Sequence, residues 1–163
     1  MSHQKSVEKF WQDYLDQLPS NHIHRFMDLP NAWSFGSGKE MANRLGKLVV
    51  KGLKTATCSY YLGTNLLEEA GVSIILNGSG ESLCVIDTYE ITLRQFQEID
   101  EEWAKAEGEG DLSLEYWQNE HWKFFKREAE IEGYTLSKDM LLCCERFRLL
   151  YPSSHNMPNI LKP

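Results

Sequence analysis

Gly52-Leu53-Lys54-Thr55-Ala56-Thr57 sets an ammonium and two hydroxyls where a helix gives way to a strand. Further on, Glu107-Gly108-Glu109-Gly110-Asp111 sets three carboxylates two residues apart, separated by glycines that add no bulk. A lysine, a threonine and a carboxylate can bind an anion, activate a hydroxyl, or form an ion pair whose role is purely architectural. The strand period of two constrains the choice. Inside one regular strand, Lys54 and Thr57 would face opposite ways. They share a site only if Lys54 lies in the turn ahead of the strand, or if a bulge intervenes. Gly52 suits such a turn.

Working back from this stretch, Ser37-Gly38-Lys39-Glu40 reads as a capping box that opens a helix. Met41, Ala42, Leu45, Leu48 and Val49 fall on one face of it, and Arg44, Lys47 and Lys51 on the other. Cations near a helix C-terminus are favourable by about 0.3–1 kcal/mol each, so the basic stripe has a structural explanation. It could also guide a polyanion toward Lys54. Earlier still, Val7, Phe10, Trp11, Tyr14, Leu15 and Leu18 recur at helical spacing and predict an amphipathic helix over 6–18. Pro19 ends it, and Pro30 breaks any long element before Phe35. His22 and His24 have a spacing that can bind a metal on a strand, but no third ligand accompanies them, so they read as structural or surface residues.

Working forward, residues 55–61 are rich in Thr, Tyr and Cys and read as a strand. A loop or short helix follows over 65–71. Strands over 72–76 and 82–93 flank the turn Asn77-Gly78-Ser79-Gly80, which makes a hairpin. From Glu98 to Glu115 there are eight acidic residues and one base, Lys105. Asp111 or Ser113 can cap the next helix, whose Leu114, Trp117, His121, Phe124, Phe125 and Glu128 form an aromatic inner face ending at Gly133. A last strand spans 139–151, and 152–163 reads as an extended tail behind a single domain over 1–151. Helices segregated from short strands, with a tight hairpin, predict an α+β fold built on a small, partly closed, mostly antiparallel β-barrel with flanking α-helices. Regular βαβ alternation and a Gly-x-Gly-x-x-Gly turn are both missing, which excludes a Rossmann reading.

A hydrophobic fraction of 42% in 163 residues is enough for a proper core. The formal charge of −7 argues against coating nucleic acid non-specifically, while leaving room for a local basic site. Cys58, Cys84, Cys143 and Cys144 lack metal or redox spacing and read as buried free thiols, which fits a reducing cytoplasm. No apolar run reaches the length of a membrane span, so no membrane partner is expected.

Trp33-Ser34-Phe35-Gly36, the Gly52–Thr57 motif, residues 106–113 with Tyr116-Trp117, then His121, Phe124-Phe125 and Glu145-Arg146-Phe147 together resemble the ASCH domain family, in its long bacterial type with the Glu-Gly-Glu-Gly-Asp motif. The likeness runs in order from about residue 26 to 151. It departs at Ser37, where the family often has an acid, and at 68–73, which differs from the usual Pro-x-x-Gly-Asp pattern. The resemblance implies a PUA-like β-barrel with a cleft beside Lys54 for RNA or a nucleotide-derived ligand. Small bacterial members that hydrolyse N4-acetylcytidine use a lysine, a threonine and a glutamate, which by motif position resemble Lys54, Thr57 and Glu109. A buried lysine can have its pKa depressed and act as the base that activates a threonine hydroxyl, with Glu109 orienting it or passing a proton to the leaving amine.

Longer members are proposed to cleave RNA. There Lys54 would stabilise phosphate charge and Arg44, Lys47 or Lys51 would hold the backbone. Trp33, Tyr60 and Trp117 could stack a base, and Thr55, Asp111 and Ser113 complete the candidate ligand contacts. No cofactor is called for. Glu107, Glu109 and Asp111 could hold a divalent cation through oxygen ligands, although an acidic helix start is favourable without one. The remaining alternatives are a binding module that uses the cleft without turnover, and an ion pair between Lys54 and Glu109 that only ties the motif to the acidic loop.

Overall fold

The computed structural model describes residues 3–152, with side chains from Ser6 on. Of the expected tail over 152–163, residues 153–163 lie outside the described residues. Among the described residues five strands form one sheet in the order β1-β3-β4-β5-β2: β1 Ala32–Trp33, β2 Ala56–Tyr60, β3 Gly71–Leu76, β4 Ser82–Gln95 and β5 Leu141–Tyr151. The helices are α1 His3–Asp16, α2 Lys39–Val50, α3 Glu101–Glu107 and α4 Leu114–Glu132. The α+β class and the mostly antiparallel sheet match the sequence reading. Closure does not, because β1 and β2 are the two edges of an open sheet. The strand missed from sequence is β1, two residues long and parallel to β3 (Ala32↔Ile74, Trp33↔Ile75). Among the described residues no helix is long and apolar enough to cross a membrane, and the four cysteines are free.

The chain divides into two compact units. One comprises the chain up to Gly52, Gly71–Thr88 and the chain from Arg148 on. Its core is the apolar face of α1, where Val7, Trp11, Tyr14 and Leu15 pack on Ile74 and Val85. Burying each such side chain contributes about 1.5–3 kcal/mol. Helix α2 buries Ala42, Leu45, Val49 and Val50, as its periodicity requires. Its start differs from the capping box: Gly38 is the N-cap, without a side-chain cap bond, and the Ser37 amide meets the Met41 sulfur instead. The β3–β4 turn is closed by Asn77, whose Oδ1 accepts from the Ser79 and Glu81 amides, each at 2.9 Å.

The other unit comprises Leu53–Ala70 and Tyr89–Phe147. Trp103, Trp117, Phe96, Phe125, Ala56 and Leu142 make its core. Asp100 caps α3 and Ser113 caps α4, each side chain accepting from the amide three residues on. Gly108 and Gly133 end these helices in the left-handed conformation.

Candidate functional site

Ahead of β2, Thr55 is fixed on both sides. Its amide donates to the Ala106 carbonyl at 2.8 Å and its own carbonyl accepts from the Phe147 amide at 3.0 Å. Thr55 Oγ1 also reaches the Ala106 carbonyl, at 3.1 Å. These bonds lay the lysine motif against the end of α3, where Gly108 turns with φ +72°. A Cβ on Gly108 would run into the Leu53 carbonyl. Gly108→Ala is therefore expected to destabilise by more than the ~1 kcal/mol of an ordinary glycine effect, read as a lowered denaturant midpoint; an unchanged midpoint would mean the loop can move aside.

The approach brings Lys54, only 2% exposed, onto the acidic loop. Its Nζ donates to Glu107 Oε2 at 3.0 Å and to Glu109 Oε2 at 3.3 Å. Glu107, 1% exposed, is the hub. Its Oε1 accepts from the indole N–H groups of Trp103 at 2.9 Å and Trp117 at 3.0 Å. Its Oε2 faces Lys54 and also His121 Nε2 at 3.3 Å. His121 Nδ1 lies 2.9 Å from the Trp117 carbonyl, an atom that can only accept, so Nδ1 carries a proton. The imidazole stacks on the Trp117 ring at 4.1 Å. Trp103 in turn is held between the guanidinium groups of Arg94 and Arg146, each 5.0 Å from its ring centre.

Burial works against charge on Lys54, Glu107 and His121, and their partners outweigh it. For Lys54, desolvation lowers the pKa while Glu107 and Glu109 lift it, leaving it above its ordinary value. The expectation of a depressed lysine acting as base is thus corrected: two carboxylates hold it as an ammonium. Burial would raise Glu107, but Lys54 and His121 hold it well below the usual carboxylate range. Burial would lower His121, but Glu107 keeps it raised. The Cys58 thiol, half-buried beside Glu107, is pushed well up by desolvation and stays protonated.

Lys54 and Glu109 are brought together, whereas Thr57 stands apart from the cluster's side of β2. Ala56 and Cys58 pack into the core, so alternation turns Thr57 to the other face. There its antiparallel partner is Glu145, a carboxyl that burial and then Glu69 raise to about 7. Asp111 is exposed and accepts from the Ser113 amide at 2.9 Å. Ser113 is engaged in capping, and Trp117 is a buried core residue. Tyr60 stacks on Tyr134 at 3.6 Å. Trp33, edge-on to Phe35, and the exposed Arg44, Lys47 and Lys51 of α2 belong to the other compact unit.

For a metal, the set among the described residues with ligand atoms within 4.8 Å of one another is Cys58, Glu107 and His121, in place of the three acidic-loop carboxylates. A cation entering there would have to displace the Lys54 ammonium from Glu107. The residues that sequence reasoning underweighted are Glu107, His121 and Glu145. A signal for the first two was present: Trp103 with Glu107, and Trp117 with His121, each lie four apart on a helix.

A family model described as ASCH domain matches residues 31–151. Among solved structures, an ASCH domain from Lactobacillus crispatus JV V101 is 28% identical, covering 90% of this chain and 95% of that one with a TM-score of 0.81. A protein from Enterococcus faecalis V583 is 38% identical, covering 91% of each chain with a TM-score of 0.73. No curated protein matches.

Proposed function

The chain belongs to the ASCH domain family, and on that footing we propose an RNA- or nucleoside-directed site centred on Lys54, hydrolytic in action. The observation that carries this reading is a cluster of four ionisable groups in which Lys54 and His121 meet the buried Glu107 carboxylate and Lys54 also meets Glu109. An ion in a protein interior loses several kcal/mol of hydration, and a hydrophobic plug of equal volume often stabilises a fold as well or better. Charges retained there favour a chemical role.

The roles follow from the protonation states. Lys54, an ammonium, draws a carbonyl or phosphoryl oxygen and stabilises negative charge developing on it. His121 as imidazolium gives a proton to the leaving group. Glu109, with 10% of its side chain exposed against 1% for Lys54, is the carboxylate that takes the proton of an attacking water.

The test is turnover of N4-acetylcytidine and of a single-stranded oligoribonucleotide. Lys54→Met is expected to lower the active reaction by about 10²–10³-fold or more, the size of a lost charge-stabilising donor; turnover unchanged in that variant would refute the reading. Thr57→Val should abolish turnover and spare binding if Thr57 is the nucleophile, while full turnover would assign attack to water.

A second reading, a binding module without turnover, is favoured by the place of Thr57 on the other face of β2. On that reading the parent chain binds nucleoside or oligonucleotide and hydrolyses neither.

A further inference from the structure

A groove of about 740 Å³ opens in the unit that holds Lys54, but none of the Lys54 cluster lines it. One wall is the outer flank of α4, where Tyr116, Asn119, Glu120 and Lys123 recur at i, i+3, i+4 and i+7. The opposite wall is Gln97 and Lys138, locked together by the Gln97 amide donating to the Lys138 carbonyl at 2.9 Å. Tyr116 and Trp122 are held in place. Trp122 stands edge-on to Phe96 with ring centres 5.2 Å apart, and the Tyr116 ring lies over Gly110 so closely that a Cβ there would collide with it.

Several polar groups of this groove are left unused by the fold. The Tyr116 hydroxyl, the Trp122 indole N–H, the Gln118 and Asn119 amides and the Lys138 ammonium have no hydrogen-bond partner among the described residues. Lys123 shares its charge with Glu120 at 3.0 Å, so two lysines face one acid in a chain whose formal charge is −7. Fixed ring edges beside side-chain amides suit a flat heterocycle with its own donors and acceptors, and an ammonium at the rim suits a phosphate. The volume falls in the range of small-ligand sites, roughly 300–1,000 Å³.

We propose that this groove holds one nucleotide of single-stranded RNA: Trp122 and Tyr116 contact the base, Gln118 and Asn119 hydrogen-bond its edge, and Lys138 meets the phosphate. The inference rests on the RNA-directed half of the proposed function and extends it. A second nucleotide groove, outside the Lys54 cluster, is useful only to a ligand longer than one nucleotide.

The test uses a fluorescein-labelled ten-nucleotide RNA carrying 4-thiouridine. Crosslinked to the parent chain and mapped by mass spectrometry, it is expected to label peptides that span 116–122. Anisotropy titration of the double variant Asn119→Glu/Lys138→Glu, both exposed positions, should show affinity at least about tenfold weaker at an unchanged melting temperature. Affinity within twofold of the parent, crosslinks confined to other peptides, or no binding of the RNA by the parent at low salt would each overturn the groove. The crosslink is read without turnover. Labelling of 116–122 in a chain that hydrolyses nothing supports the groove while the hydrolytic reading falls alone.

Discussion

Glu107→Gln is expected to lower the melting temperature by roughly 6–20 °C, the equivalent of about 3–5 kcal/mol in a chain of this length. The amide can still accept from the two indoles at one atom. Its other atom is then an N–H₂ group facing the Lys54 ammonium and His121 Nε2, so donor meets donor where the carboxylate had met two cations. Two positive groups lose the carboxylate they share out of water, with Glu109 left at 3.3 Å from Lys54 alone, which is the expensive way to break a buried ion pair. Lys54→Met in the Glu107→Gln background removes one of them, and the double variant should be more stable than Glu107→Gln alone. A loss below about 1 kcal/mol in the single variant, typical of an exposed pair, would show that the carboxylate is not the hub of the cluster.

How far this hub was legible in the sequence depends on what each residue's neighbours reveal. The lysine motif and the acidic loop are local patterns, and their meeting follows from the family likeness. That Glu107 rather than Glu109 lies at the centre depends on the left-handed turn at Gly108 and on two indoles from different helices, a convergence no window of sequence displays. Thr57 was decided by alternation: once Ala56 and Cys58 are seen in the core, the face of Thr57 follows. The fold shows the same division. Helices α1, α2 and α4 announce themselves through a period near 3.6, and the β3–β4 hairpin through its Asn-Gly turn. Strand β1 has two residues and no period to read, and sheet closure depends on pairing between remote edges. Ser37 lost the capping role because α2 starts one residue later than the box requires, at Lys39.

Stability should be lost on both the acid and the alkaline side of a window set by the cluster itself. Glu107 is depressed in the folded chain by Lys54 and His121 against the pull of burial, so its contribution is fully present above its ordinary value of 4.5 and disappears as pH falls through the lower folded value. At that point Lys54 and His121 have lost the carboxylate they share, the same condition that Glu107→Gln creates, and a loss of similar size, about 3–5 kcal/mol, is expected. His121 is raised, with Glu107 outweighing burial, so its contribution is full below its ordinary value of 6.5 and fades as pH climbs through the higher folded value. Lys54, also raised, keeps its contribution to above 10.5 and leaves the window untouched. Both contributions are therefore complete only between about pH 4.5 and 6.5. Glu145, lifted to about 7 by burial and Glu69, adds a decline of its own across pH 4.5–7, so the measurement belongs in a Glu145→Gln background. There, the urea midpoint of the parent minus that of His121→Asn should shrink as pH rises above 6.5, because asparagine can keep the bond to the Trp117 carbonyl but cannot carry the charge. A difference that stays constant with pH would mean that His121 is neutral throughout, with Glu107 compensated by Lys54 and the two indoles alone, and the imidazolium would then be unavailable as the proton donor of the proposed hydrolysis.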